Sequence, residues 1–258
     1  SCYKKMNSKI VKKVSIITVV YNGASYVETA ITSVLSQRYS CIEYILIDGG
    51  STDGTVNIVN RYKDSISTII SEPDKGLYDA MNKGISLATG DIIGILNSDD
   101  FYVNELVVEK VVKEFEKEID CLFADLVYVR SENLDKIVRY YDSSQFTPLK
   151  FAFGWMPAHP TFFVKKEIYD KYGVFRIDLK IGADFDILVR FLYTYKISYS
   201  YMQEVLVKMR VGGVSTSFSS IWINNIEALK VCRENGIDTN IFKILSKYPT
   251  KFLGFFKK

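Results

Sequence analysis

The residues best suited to chemistry are Asn97, Ser98, Asp99 and Asp100, which follow the apolar run Ile92 to Leu96 directly. Adjacent carboxylates repel each other unless a cation or hydrogen-bond donors compensate them. Hard oxygen ligands of this kind suit Mg²⁺ or Mn²⁺ carrying a diphosphate. The same residues are also good turn or helix-cap chemistry. Taken alone, the stretch is open to both readings. Its position supplies the context. A short buried apolar run reads as a strand of a parallel sheet, and open α/β sheets bind ligands outside the carboxyl ends of their strands.

Three further apolar runs end in the same way. The run 14–20 stops at Tyr21-Asn22-Gly23. The run 42–47 stops at Asp48-Gly49-Gly50-Ser51-Thr52-Asp53-Gly54-Thr55, where the two glycines permit close backbone approach to a ligand. The run 66–70 stops at Ser71-Glu72-Pro73-Asp74-Lys75-Gly76. Glu72, Asp74 and Lys75 read as a solvated charge cluster. At a strand end they read equally as groups for a nucleotide, with Lys75 on phosphate. Helical spacing over 26–37, from 55 to 62 and over 77–88 joins these runs. Alternating strands and helices predict a parallel sheet with right-handed crossovers, all polar strand ends on one rim. No GxGxxG follows the first strand and no GxxxxGK[ST] occurs, which removes the dinucleotide and P-loop fingerprints.

The second half predicts a mixed architecture. A helix over 104–117 precedes strands over 120–129 and 136–141, paired as a hairpin. An aromatic loop, 151–160, holds Trp155, Met156 and His159. Trp155 is either core packing or a stacking face for a sugar. His159 is either a satisfied loop residue or a group at the acceptor. A short strand 161–164, a helix 166–172, a helix opening at Ala183-Asp184-Phe185-Asp186, and strands within 199–211 follow. Arg210, before Gly212-Gly213, reads as a surface residue at a turn or as a fork for phosphate. A helix 219–235 ends at Gly236. The stretch 241–258 holds five Lys and no acid among many aromatics. That composition suits either an interfacial segment on an anionic leaflet or a helix docked on the core.

At 258 residues, 48% hydrophobic and with net charge +3, the chain is long enough for one large α/β domain. The weak charge does not argue for nucleic acid. One histidine and the scattered Cys2, Cys41, Cys121 and Cys232 exclude a Cys/His metal cluster and predict free thiols in a reducing cytosol. A terminus polar until Val14 predicts no secretion signal.

The segments Thr18-Val19-Val20-Tyr21-Asn22, Asp48 to Thr55, Ser71 to Gly84 and Leu96 to Asp100, in that order, resemble family 2 glycosyltransferases with the GT-A fold. Ala183-Asp184-Phe185-Asp186 resembles the family's later acidic motif. The resemblance implies a Rossmann-like, mostly parallel central sheet flanked by helices, a mixed acceptor-side half and C-terminal helices. It divides a single domain, 1–258, into a nucleotide-sugar half (14–101), an acceptor half (102–236) and a basic aromatic segment (237–258). It implies inverting transfer from a UDP-sugar with Mn²⁺ or Mg²⁺. The acceptor is expected to be a lipid-linked saccharide of a surface polysaccharide such as O-antigen or capsule, reached at the cytoplasmic face of the inner membrane.

By that correspondence Asp99 holds the metal, and Asn97, replacing the family's first Asp, faces the ribose beside Ser98. Asp48 meets base or ribose, with the backbone of Thr18, Val19 and Val20 forming the base pocket. The family often has Asp-Asp where this chain has Asp48-Gly49. Asn22, Gly49, Glu72, Asp74, Lys75, Asn82 and Arg210 complete the nucleotide-sugar set. Asp184 is the catalytic base, and Trp155 and His159 border the acceptor. Two alternatives are a sugar-phosphate nucleotidyltransferase and a non-catalytic nucleotide-sugar module. The first wants a basic Gly-rich loop after the first strand, where this chain has Tyr21-Asn22-Gly23-Ala24 and no Lys or Arg before Arg38. The second has no use for a base.

Overall fold

The computed structural model describes residues 11–211 and 218–248. Strand β1 (Val14–Val20) is buried along its whole length, as parallel strands covered on both faces must be. It pairs in parallel with β2 (Ile42–Asp48) on one side and β4 (Ile92–Ile95) on the other. Strand β3 (Thr68–Ser71) pairs in parallel with β2. The registers oppose Val20 to Asp48 and Asp48 to Ser71, so the carboxyl ends of these strands form one level rim.

Side chains alternate across this layer. Ile17, Val19, Ile45 and Ile47 enter one core with α3 (Leu77–Leu87). Val14, Ile16, Tyr44 and Leu46 enter the other with α1 (Val27–Leu35) and α4 (Val107–Glu114). Helix α1 buries Val27, Ala30, Ile31 and Val34, one face at helical spacing. Helix α2 (Thr55–Asn60) links β2 to β3. A Cβ on Gly84 would overlap the Ile17 side chain, so that glycine sets how closely α3 lies on β1.

The apolar run at 92 ends as a strand where its polar cluster begins, as the sequence predicts, and a second strand opens within that cluster. Strand β4 ends at Ile95, and Leu96 N–H still donates to Ile17 O at 2.9 Å. A turn closed by Asp100 N–H on Asn97 O (3.1 Å) then leads into β5 (Asp100–Tyr102). The acidic pair is thus at the joint between two strands, and no helix begins there.

The remainder of the sheet is mixed. Strands β6 (Cys121–Arg130) and β7 (Asn133–Tyr141) form the hairpin. Strand β8 (Phe163–Lys165) is antiparallel to both β4 and β6 and joins the two halves. Strand β9 (Tyr199–Arg210) is one long strand, parallel to β6 and antiparallel to β5. The order among the described residues is β3-β2-β1-β4-β8-β6-β9-β5, with β7 on β6. Helix α5 (Lys166–Tyr172) follows β8, and α6 (Ala183–Val189) widens into a π-helical turn, Arg190–Thr194.

Helix α7 (Phe218–Glu234) precedes α8 (Ile241–Leu245). Asn240 caps α8 by accepting from Lys243 N–H at 2.9 Å. Ile244 is fully buried, whereas Phe242 is 81% exposed. The first part of the basic aromatic segment therefore docks on the core. Residues 249–258 lie outside the described residues, as do Gly212, Gly213 and Cys2. Cys41, Cys121 and Cys232 are buried and form no disulfide among the described residues. Among the described residues no helix is long and apolar enough to cross a membrane.

Candidate active site

The rim above β1, β2 and β3 is tied together by its own polar groups. Asp48, 1% exposed, accepts from Ser71 Oγ (2.6 Å), Gly50 N–H (3.2 Å) and Ser51 N–H (3.1 Å). Asn22, at φ 50°, accepts from Thr52 N–H (2.9 Å) and donates its own N–H to Ser51 Oγ (2.7 Å). Thr18 and Val19 are inside the sheet, with Tyr44 OH donating to Thr18 Oγ1 at 3.1 Å. Val20 O accepts from Gly49 N–H at 2.9 Å, and Tyr21 beyond it is exposed. These contacts make Asp48 and Asn22 the knots that hold two loops together.

The loop after β3 folds over this knot. Asp74 accepts from Gly76 N–H at 2.8 Å through Oδ1. Its Oδ2 lies over Gly49, where a Cβ would overlap it. Lys75 is exposed, and Glu72 pairs with Lys83 at 2.9 Å. Asn82 is committed to backbone. Its amide clamps the Phe175 backbone at both ends, donating to O at 2.8 Å and accepting from N–H at 3.0 Å.

At the joint after β4 the electrostatics are unbalanced. Asp100 is fully buried, and neither of its carboxylate oxygens has a hydrogen-bond donor among the described residues; Asn97 Oδ1 is in the same position. Burial first, then repulsion from Asp99, pushes the Asp100 carboxyl well above its usual range, against the pull of Arg210. Arg210 is not a surface residue. It is 6% exposed, lies over the rings of Tyr26 and Phe101, and donates to Thr29 Oγ1 at 3.0 Å. Buried oxygens without donors beside a partly exposed Asp99 fit a divalent cation, whose charge would compensate them. No three His, Cys, Asp or Glu side chains form a cage among the described residues. A cation here would share one or two carboxylates with substrate phosphates, the usual arrangement for Mg²⁺.

Beyond β4 a cleft brings Asn97, His159 and Asp184 together, walled by Tyr78, Met81 and Phe162. His159 Nδ1 is 3.2 Å from Asp184 Oδ2. Asp184 Oδ1 accepts from Phe185 N–H at 2.8 Å. Asp184 does not cap its helix; Gly182 holds that position and α6 begins at Ala183. Asp186 points elsewhere. It is 1% exposed and accepts from Arg190 Nε at 2.8 Å, with Arg176 at 3.5 Å. Trp155 packs between Tyr141 and Phe146, ring centroids 6.2 and 6.0 Å away, with Lys150 Nζ over its face.

Two residues that shape this cleft carry no signal of their own in the sequence. Glu227 of α7 accepts from three consecutive backbone amides, Lys180 (2.8 Å), Ile181 (2.9 Å) and Gly182 (2.7 Å). Tyr78, inside the 71–84 stretch, donates to Ile181 O and stacks on Phe175 at 5.7 Å. Together they fix the approach to α6 from both sides. Nothing in a polar Glu on an amphipathic helix distinguishes a clamp from a solvated residue.

A family model described as glycosyl transferase family 2 matches residues 15–173. An uncharacterized glycosyltransferase of Mycobacterium tuberculosis (strain CDC 1551 / Oshkosh) is 32% identical over 179 residues, 69% of this chain and 68% of its own. Among solved structures, S. aureus TarS 1-349 in complex with UDP superposes with a TM-score of 0.63 at 18% identity, covering 83% of this chain and 65% of that one. The mannosyltransferase PcManGT from Pyrobaculum calidifontis, in complex with GDP-Man and Mn²⁺, gives a TM-score of 0.64 at 19% identity, covering 91% of this chain and 68% of that one. At these identities the structural likeness is one of fold, and the fold is GT-A.

Proposed function

The chain belongs to glycosyl transferase family 2, and from that premise we propose that it is an inverting transferase moving a sugar from a UDP-sugar to a saccharide acceptor. The observation that carries the reading is Asp184. It lies in one cleft with His159 and Asn97, next to the acidic joint at Asp99 and Asp100. Asp184 is the base. The acceptor oxygen bonds to the anomeric carbon as that carbon's bond to the diphosphate oxygen breaks, and the acceptor's proton passes to the Asp184 carboxylate. No enzyme nucleophile is needed. His159 Nδ1 and Phe185 N–H hold the carboxylate's two oxygens in place. The aromatic wall around Trp155 and the exposed edge of His159 border the acceptor.

Asp99 would hold a divalent cation, Mn²⁺ or Mg²⁺, and the buried Asp100 would be compensated by its charge. When bound, the cation neutralises charge on the departing diphosphate. Arg210 adds a fixed positive charge under the same joint, and Lys75, exposed on the loop after β3, meets the phosphates. Asn97 and Ser98 contact the ribose. The acceptor is lipid-linked, and the basic aromatic composition of 241–258 suits work at an anionic membrane face. The deciding experiment measures UDP release from UDP-sugars with Mn²⁺ and with EDTA, in wild type and Asp99→Asn. Metal-dependent release that Asp99→Asn abolishes supports the reading. Release indifferent to EDTA, or intact in Asp99→Asn, refutes the metal assignment.

A further inference from the structure

Asp125 of β6 is a buried carboxylate, 2% exposed, outside the chemistry derived above. It accepts from Tyr140 OH (2.7 Å), Tyr201 OH (3.0 Å) and Ser143 N–H (2.8 Å). Burial first, then the bond to Asp125, pushes both phenols above their usual range, so both remain donors. A buried charge is costly unless donors compensate it, and three do so here. Of the three, Ser143 leads to the active site. Fully buried just after β7, it accepts from Ala158 N–H on Oγ at 3.1 Å. Ala158 precedes the 3₁₀ turn His159–Thr161. On the far side of that turn Thr161, also fully buried, accepts from Ala124 N–H on Oγ1 at 2.9 Å. Consecutive residues of β6, Ala124 and Asp125, thus hold the two flanks of His159. The His159 side chain is 32% exposed, so packing alone does not fix the ring; the backbone on either side of it does. That ring places Nδ1 3.2 Å from Asp184 Oδ2.

We propose that Asp125 is a positioning residue for the transfer: through Ser143 and Ala158 it sets the place of His159, and through His159 the direction of the Asp184 carboxylate. This role rests on the reading of Asp184 as the base and adds what stands behind it. The Thr161 flank keeps its bonds to the Ala124 backbone whatever residue is at 125. The Ala158 flank depends on the Asp125 oxygen that Ser143 N–H reaches. Without it that N–H is a buried donor with no acceptor, which the segment relieves by shifting. A displacement of about 1 Å at a reacting group costs on the order of a hundredfold in rate. Asn at the same position keeps an oxygen for Ser143 N–H, and its NH₂ can donate to the two phenol oxygens.

The test uses the full chain without an added histidine tag, in which His159 is the sole histidine. With isotope-labelled histidine, one ring signal in the NMR spectrum reports its surroundings. UDP release from UDP-glucose and UDP-N-acetylglucosamine with Mn²⁺, water serving as acceptor, reports turnover. Asp125→Ala and Ser143→Ala should each move the ring signal and lower turnover by about ten- to a hundredfold, with UDP affinity unchanged. Asp125→Asn should restore both. His159→Ala should itself lose turnover, and adding Asp125→Ala to it should cost nothing more. Thermal melts identify the folded variants, and Ser143→Ala, the smallest change, carries the test should Asp125→Ala fail to fold. An unmoved ring signal in the folded variants, or a loss that multiplies with that of His159→Ala, overturns the role of Asp125. A moved signal with turnover intact, in these variants and in His159→Ala, refutes the base reading on which that role rests.

Discussion

Asp184→Asn and Asp186→Asn should fail in opposite ways. Asp184 is 20% exposed at its side chain, and Asn keeps an oxygen for Phe185 N–H. The folded state loses one charge-assisted contact to His159, worth about 1 kcal/mol at such exposure. If Asp184 is the proposed base, turnover should fall by roughly 10²–10⁴-fold while UDP affinity holds. Asp186 is 1% exposed, and Asn there leaves Arg190 without its anion. Breaking a buried pair costs roughly 3–5 kcal/mol. Arg190 retains the Tyr172 and Val174 carbonyls at 2.8 and 2.7 Å, so the lower end, about 3 kcal/mol, applies. For a chain of this size that lowers Tm by roughly 6–12 °C. Turnover per folded molecule should survive. The assays are steady-state kinetics, UDP titration and thermal melts on both variants. Near-normal turnover in Asp184→Asn, or lost turnover with an unchanged Tm in Asp186→Asn, refutes the assignment of the base.

Glu43 gives a pH prediction. Burial alone would raise its carboxyl, but bonds from Lys13, Ser15 and Thr89 outweigh it and hold the group at about 2, down from 4.5. A depressed carboxyl stabilises the fold above its unfolded value and loses that contribution as pH falls through its folded value. About 3 kcal/mol of stability should therefore vanish between pH 4.5 and 2, and Glu43→Gln, melted across that window, should show a correspondingly flatter loss. At the other end of the chain, Ile244 and Lys247 are packed, so deleting residues 249–258 spares that docking but removes three of the five lysines. Salt-sensitive co-sedimentation with anionic vesicles should disappear with them; no binding of the full chain at low salt ends the membrane proposal.

The first four strands and their helices were legible because parallel, doubly covered strands are written as unbroken apolar runs. Val14–Val20 and Ile42–Asp48 are such runs, and each stops at a polar cluster that the fold places on the rim. The end of β4 was less legible. The strand and the polar cluster at its end are where the sequence puts them, but nothing in the sequence marks Asp100 as the start of a second strand, β5. The 199–211 stretch carried no marker that it is one strand, because its register irregularities against β6 depend on the partner. In the site, residue types were visible and their employment was not. Asp48, Asn22 and Asn82 look like ligand groups in sequence, and each is bound to backbone in the fold. Arg210 reads in sequence as either a surface residue at a turn or a fork for phosphate, and in the fold it is buried beside the acidic joint. Such distinctions depend on which backbone amides come within reach, and those come from segments far away in the chain.

Glu227 has a further consequence. A run of successive backbone N–H groups forms a concavity that captures anions in general. The amides of Lys180, Ile181 and Gly182 make such a run, directly before the helix that carries Asp184. Left open, it would offer a phosphate-bearing ligand a decoy site directly before the helix that carries Asp184. Glu227 plugs it with the protein's own carboxylate, so the molecule answers that decoy before any ligand arrives.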